Sequence, residues 1–210
     1  EFAWPSLDWD RIQRETGYQR AVTERSFPPT EFDSYAEWTE TLQYYQSHVL
    51  KVQIETLRRL KYRPTGGFTF SSLNDSAPAI SSSILDHERR RKAAYATVAA
   101  ACAPVLVVAD PLPSDLDLGE QLDIDVHVVS DLRHGLDFAV VDAVVGWAGG
   151  EQRWRFGGPI PADDVVKVGR IRLEVPVASG PLTLDLQLTS GDVTSHNRYS
   201  TTIGQPSPRR

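Results

Sequence analysis

The sequence holds no methionine in 210 residues and opens Glu1-Phe2-Ala3-Trp4-Pro5-Ser6. A chain without a native start reads as a piece of a longer polypeptide, so a missing leader peptide says nothing about export. There is one cysteine, Cys102, which excludes an internal disulfide and fits a reducing, cytoplasmic compartment. Cys102 lies in Ala-Ala-Ala-Cys-Ala without a cationic neighbour, which predicts a small hydrophobe on a buried helix face rather than a reactive thiol. No apolar run is long enough to span a membrane. Positive charge is also short: 22 Lys and Arg stand against 28 Asp and Glu, a net charge of −6, which argues against a nucleic-acid partner. The five histidines show no metal-ligand spacing, and Asp115-x-Asp117-x-Gly119 lacks the remaining ligands of a calcium loop. Neither a phosphate loop nor a Gly-x-Ser-x-Gly nucleophile elbow occurs. These gaps predict no metal and no cofactor.

What is present falls into two parts, read as residues 1–104 and 105–210. The first part is helical. Asp8 starts a helix through Arg20, and Pro28-Pro29 break any helix after it. From Phe32 to Lys61, the residues Trp38, Leu42, Tyr45, Val49 and Val52 recur at spacings of four and three, with Leu57 and Leu60 beyond. That pattern predicts one long helix with a broad apolar face, stopped by Pro64. Gly66-Gly67 opens a short apolar strand, Phe68 to Phe70, which ends in a long polar loop. A further helix, about Arg91 to Ala103, turns its Ala94, Val98 and Cys102 to one side and ends at Pro104. A strand, a polar loop and a helix make a βα unit, the arrangement in which barrels and open sheets place chemistry on the loops at strand ends.

The second part reads as strands. Val105 to Ala109 is an apolar run, and Asp110 to Gly119 is a Pro/Asp-rich turn. Leu122 to Val128 alternates with a period of two. Phe138–Trp147, Gln152–Phe156, Arg170–Val177, Leu182–Leu188 and Val193–Thr202 follow, separated by glycine-bearing turns. Seven short strands with turn signals between them predict an immunoglobulin-like antiparallel sandwich.

The loop carries a resemblance. Leu73-Asn74-Asp75, Pro78, Ser81, Ser83, Asp86, Lys92, Tyr95 and Ala103-Pro104-Val105-Leu106-Val107 resemble the end of the catalytic barrel in glycoside hydrolase family 2, on its β-mannosidase-like branch. Leu57-Arg58-Arg59-Leu60 before Arg63-Pro64-Thr65-Gly66-Gly67 extends the match upstream, and Glu1-Phe2-Ala3-Trp4-x-Ser6 resembles the nucleophile segment of that family. The resemblance implies an α+β chain: the C-terminal end of a TIM (β/α)8 barrel over residues 1–104, then the sandwich. It implies Glu1 as the catalytic nucleophile, Trp4 at the sugar, and Asn74 and Asp75 as substrate contacts or braces of the loop. The partners implied are a carbohydrate substrate and the rest of the parent polypeptide.

A retaining glycosidase needs two carboxyl groups about 5–5.5 Å apart, one as nucleophile and one as acid/base. By the resemblance, the acid/base belongs to an Asn-Glu pair, and no such pair occurs in this chain. Ser71, Ala77 and Ser82 stand where the family usually has aromatic residues. Two functions are therefore open: part of a retaining exo-glycosidase on β-linked sugars, inactive as this piece alone, or a non-catalytic carbohydrate-binding or structural module.

Overall fold

A computed structural model describes residues 3–16 and 18–204. Glu1, the expected nucleophile, lies outside the described residues. Contacts divide the chain into two units: Glu1–Ile54 with Phe68–Cys102, and Glu55–Gly67 with Ala103–Arg210.

The first unit is helical. Its elements are α1 (Trp9–Thr16), α2 (Arg20–Ser26), a 3-10 turn at Pro29–Glu31, most of α3 (Tyr35–Arg59) and α4 (Ala93–Ala101). The helix expected over Asp8–Arg20 is thus two shorter ones. At the start of α3, the Ser34 hydroxyl accepts the Glu37 N–H (3.2 Å) and the Glu37 carboxylate accepts the Asp33 N–H (3.0 Å). These two bonds satisfy donors that a helix start leaves open. Trp38, Leu42, Leu50 and Ile54 form the packed side of α3, whereas Tyr45, Val52 and Leu60 are exposed. The seam follows spacings of four, not the alternating fours and threes read from the sequence.

Two small cores hold the unit. Trp9, Tyr18 and Trp38 are buried with Trp4, Leu7, Phe32 and Ile80 packed around them. Ile54, Ile84, Ala94, Val98 and Ala101 form the other, with Leu50, Phe68 and Tyr95. Cys102 corrects the sequence reading: it caps α4 and is exposed, not part of the buried face.

The expected barrel is not there. Among the described residues before Val105, no strand forms; the backbone shows only isolated bridges such as Asn74↔Leu85 and Leu85↔Arg91. Among the described residues, Phe68–Phe70 joins no ladder. A strand exists only where a neighbour takes up its N–H and C=O groups, and no such neighbour occurs in the first unit. The chain is therefore mostly β, with its strands after residue 104, and the reading of residues 1–104 as a (β/α)8-barrel end is overturned.

The second unit is a two-sheet sandwich. Its strands are β1 (Val105–Ala109), β2 (Asp115–Leu116), β3 (Gln121–Ser130), β4 (Leu136–Trp147), β5 (Gly150–Ile160), β6 (Val165–Glu174), β7 (Gly180–Ser190) and β8 (Val193–Ile203). One sheet runs β1-β3-β6 and the other β2-β8-β7-β4-β5. All pairs are antiparallel except β2 with β8. Alternation builds the core: Ile124, Val126 and Val128 of β3 meet Val141, Ala143 and Val145 of β4 and Leu182, Leu184, Leu186 and Leu188 of β7 in one buried cluster. A β-carbon at Gly169 of β6 would overlap the Phe156 ring of β5, so only glycine fits there. No helix among the described residues is long and apolar enough to cross a membrane.

Candidate functional site

The polar loop between α3 and α4 contains no turn of helix and no ladder, so its backbone groups need other partners. Asp75 supplies many of them. Its carboxylate is buried. One oxygen, Oδ1, accepts the Ser81 hydroxyl and the Ser83 hydroxyl (2.5 Å for Ser83); Oδ2 accepts Lys92 Nζ at 2.7 Å. Lys92 Nζ also donates to Ser83 Oγ (3.0 Å) and Ser81 Oγ (3.3 Å). The Lys92 and Asp75 side chains are only 11% and 6% exposed. Burial alone would raise the Asp75 carboxyl, but the Lys92, Ser81 and Ser83 hydrogen bonds outweigh it and hold the group below the ordinary aspartate value. Asp75 is therefore an anion at neutral pH, and both of its oxygens are engaged inside the loop.

Backbone bonds complete the frame. Asp75 N–H donates to Leu85 O (3.1 Å), Leu85 N–H to Leu73 O (3.0 Å) and Lys92 N–H to Ile84 O (3.0 Å). Asp86 closes the far turn, accepting the Glu88 and Arg90 N–H groups (2.9 and 2.8 Å) and Arg90 Nε (2.7 Å). Gln46 of α3 donates to Ser82 O at 2.5 Å and so ties the loop to its helix. The Ser71–Ser72 peptide bond is cis.

The expected site residues take these positions. Asn74 is half-buried and its amide donates to Asp75 O at 3.0 Å. Trp4 is half-buried; its indole N–H donates to Phe32 O at 2.9 Å, and its ring meets those of Trp38 (5.6 Å between centroids) and Tyr35 (5.9 Å). Ile80, next to Ser81, packs in the same aromatic cluster as Trp4. Sequence reasoning placed Lys92, Ser81 and Ser83 in a pattern but did not pair them with Asp75. The signal was their polarity, since a lysine and two serines flanking a buried aspartate match its need for donors. Among the described residues, no three His, Cys, Asp or Glu side chains are placed to hold a metal.

The fold defines a class: a two-sheet β-sandwich joined to a helical unit, an arrangement shared with part of a known glycosidase. The exo-chitosanase CsxA of Amycolatopsis orientalis superposes on 87% of this chain with a TM-score of 0.60 at 14% identity. The chain spans about a fifth of that enzyme, 21% of its length. A β-glucosidase of Listeria innocua matches 48% of this chain and 16% of its own length, with 14% identity and a TM-score of 0.37. At such identities the likeness establishes fold alone. No family model matches the sequence, and no curated protein matches it.

Proposed function

We propose that this chain is part of a retaining exo-glycosidase that hydrolyses β-linked sugars, β-mannosidase-like in its loop, and that it is inactive in isolation. The carrying observation is the likeness to the exo-chitosanase over 87% of the chain, which is more than either unit supplies alone. A common sandwich by itself would give a match confined to the second unit. In this reading, Glu1 is the nucleophile that attacks the anomeric carbon, and a second carboxyl group from the rest of the polypeptide protonates the leaving oxygen and later activates water. Trp4 offers an aromatic surface to the sugar. Asn74 reads as the substrate contact of the loop, with Asp75 fixing the backbone that presents it.

A second reading, a carbohydrate-binding or structural module without catalysis, is favoured by one observation: Ser71, Ala77 and Ser82 stand where the resembled family usually has tryptophans. One experiment separates the two. The full-length parent polypeptide is assayed with 4-nitrophenyl β-mannoside and β-glucosaminide, alongside its Glu1→Gln variant and the 210-residue chain. The enzyme reading expects turnover by the parent, loss of at least 1,000-fold in Glu1→Gln, and none by the short chain. A parent that cleaves no aryl β-glycoside but binds the free sugars would establish the module instead.

A further inference from the structure

Residues 55–67, the last turn of α3 and the turn after it, belong to the sandwich unit. Two sets of contacts hold them there. The inner set is buried. Asn197 Nδ2 donates to Glu55 Oε1 (2.8 Å) and to Val107 O (2.9 Å), and the Tyr199 hydroxyl donates to Glu55 Oε2 (2.9 Å). Burial, and then the neighbouring Glu55 carboxylate, push the Tyr199 phenol well above its ordinary value, so it stays a donor. Arg58 is itself buried and reaches Asp131 Oδ2 at 2.7 Å.

The outer set reaches water through its carboxylates, while the Lys61 side chain is 13% exposed. Lys61 Nζ donates to Asp163 Oδ1 (2.6 Å), Asp131 Oδ1 (2.7 Å) and Ser130 O (3.0 Å), and the Tyr62 hydroxyl donates to Asp163 Oδ2 (2.8 Å). The Asp131 and Asp163 side chains are 45% and 53% exposed. Tyr62 and Asp163, the two ends of one hydrogen bond, both have left-handed backbones, φ +62° and +52°. An aromatic residue adopts that conformation only where its surroundings hold it. The outer set thus maintains a strained turn through ion pairs that salt can screen, whereas the inner set is shielded from salt.

We infer that residues 55–67 form a two-stage strap: an inner anchor at Glu55 that stays fixed, and an outer latch at Lys61–Tyr62 that opens with ionic strength while the sandwich remains folded. Ser130 ends β3 of one sheet and Asp131 follows it, and Asp163 lies between β5 and β6 of the two sheets, so the latch spans one end of the sandwich. Opening frees the Asp163 carboxylate and relaxes Tyr62, while Asp131 keeps its bond to Arg58, which makes that end responsive to its ionic surroundings.

Amide hydrogen exchange on the whole chain tests this. The Lys61, Tyr62, Arg63 and Thr65 N–H groups bond to Arg58 O, Thr65 O, Leu60 O and Leu60 O within the strap, so they report opening. In 1 M rather than 50 mM NaCl, amides of residues 61–65 are expected to exchange about five- to tenfold faster, with residues 55–59 and strands β3 and β7 unchanged. Lys61→Met is expected to give the same acceleration at low salt and to remove the salt response. Exchange at 61–65 that ignores salt overturns the latch, and so does acceleration shared by 55–59 and the strands. If Lys61→Met does not fold, the salt series on the unaltered chain decides alone.

Discussion

At Lys92, one ammonium group meets a buried carboxylate and two serine hydroxyls, so the loop has a polar core of four side chains. Removing Lys92 leaves Asp75 Oδ2 without its charged donor, away from water. Lys92→Met should cost about 3 kcal/mol in urea denaturation of the chain, because it strands the Asp75 charge. The same group sets an acid limit. The folded Asp75 value lies below the unfolded one, so its contribution is complete at neutral pH and disappears as pH falls below about 4 through the folded value. His127 on β3 acts in the opposite sense. Burial first, and then the Arg59 charge, lower it to about 4, and its Nδ1 has no hydrogen-bond partner. A histidine that resists protonation in the folded state loses stability once pH drops below the unfolded value of about 6.5, and the loss is complete at about 4. Between pH 7 and pH 5 the sandwich should lose about 1–2 kcal/mol, and His127→Gln should flatten that slope. An unchanged slope in the variant would assign the pH dependence elsewhere.

Local patterns that satisfy themselves were legible; those that need a partner were not. Strand β3 was readable from its alternation, and β4, β7 and β8 from segments set between glycine-bearing turns, because each fills a core from one face. Helix α3 was readable from its apolar recurrence alone; its Ser34–Glu37 start came only with the structure, and Ser34→Ala should destabilise it by about 1 kcal/mol, measured by thermal denaturation. Phe68–Phe70 has the composition of a strand yet pairs with nothing, because strand formation depends on a neighbour that composition does not reveal. The long helical reading over 8–20 missed the end of α1 at Thr16, where no proline marks it. Cys102 was assigned to a buried face because helical spacing was carried past the point where α4 ends. Gly169 is silent in sequence but not in packing: Gly169→Val should cost about 2–3 kcal/mol, since Phe156 occupies the space a side chain would need.

For the whole molecule, the sandwich was visible in the run of turn-separated strands, whereas the membership of residues 55–67 in the sandwich unit was not. Residues 55–67 read as the end of a helix and a proline-stopped turn, but Arg58, Lys61 and Glu55 bind residues 73, 102 and 142 positions later in sequence. Pairing at that distance leaves no periodic trace. The candidate site was legible as a motif and opaque as chemistry, because Asp75, Ser81, Ser83 and Lys92 reveal their pairing only in three dimensions. The first strand of the sandwich carries a last consequence. It is split: β1 joins one sheet, Pro111 and Pro113 turn the chain, and β2 joins the other beside the end of β8 with Leu116 fully buried. One flank of the sandwich is therefore closed by the chain itself. The opposite flank ends in β5 and β6, whose outward side chains include Arg153, Arg155, Lys167, Arg170 and Arg172. Charged rims of this kind repel a second copy that would add a strand. Leu116→Asp should unseat β2 and expose the end of β8, and sedimentation velocity should then show mass increasing with concentration. The fold thus guards its two flanks by different means, one by covering and one by charge, and colloidal behaviour is where the difference becomes measurable.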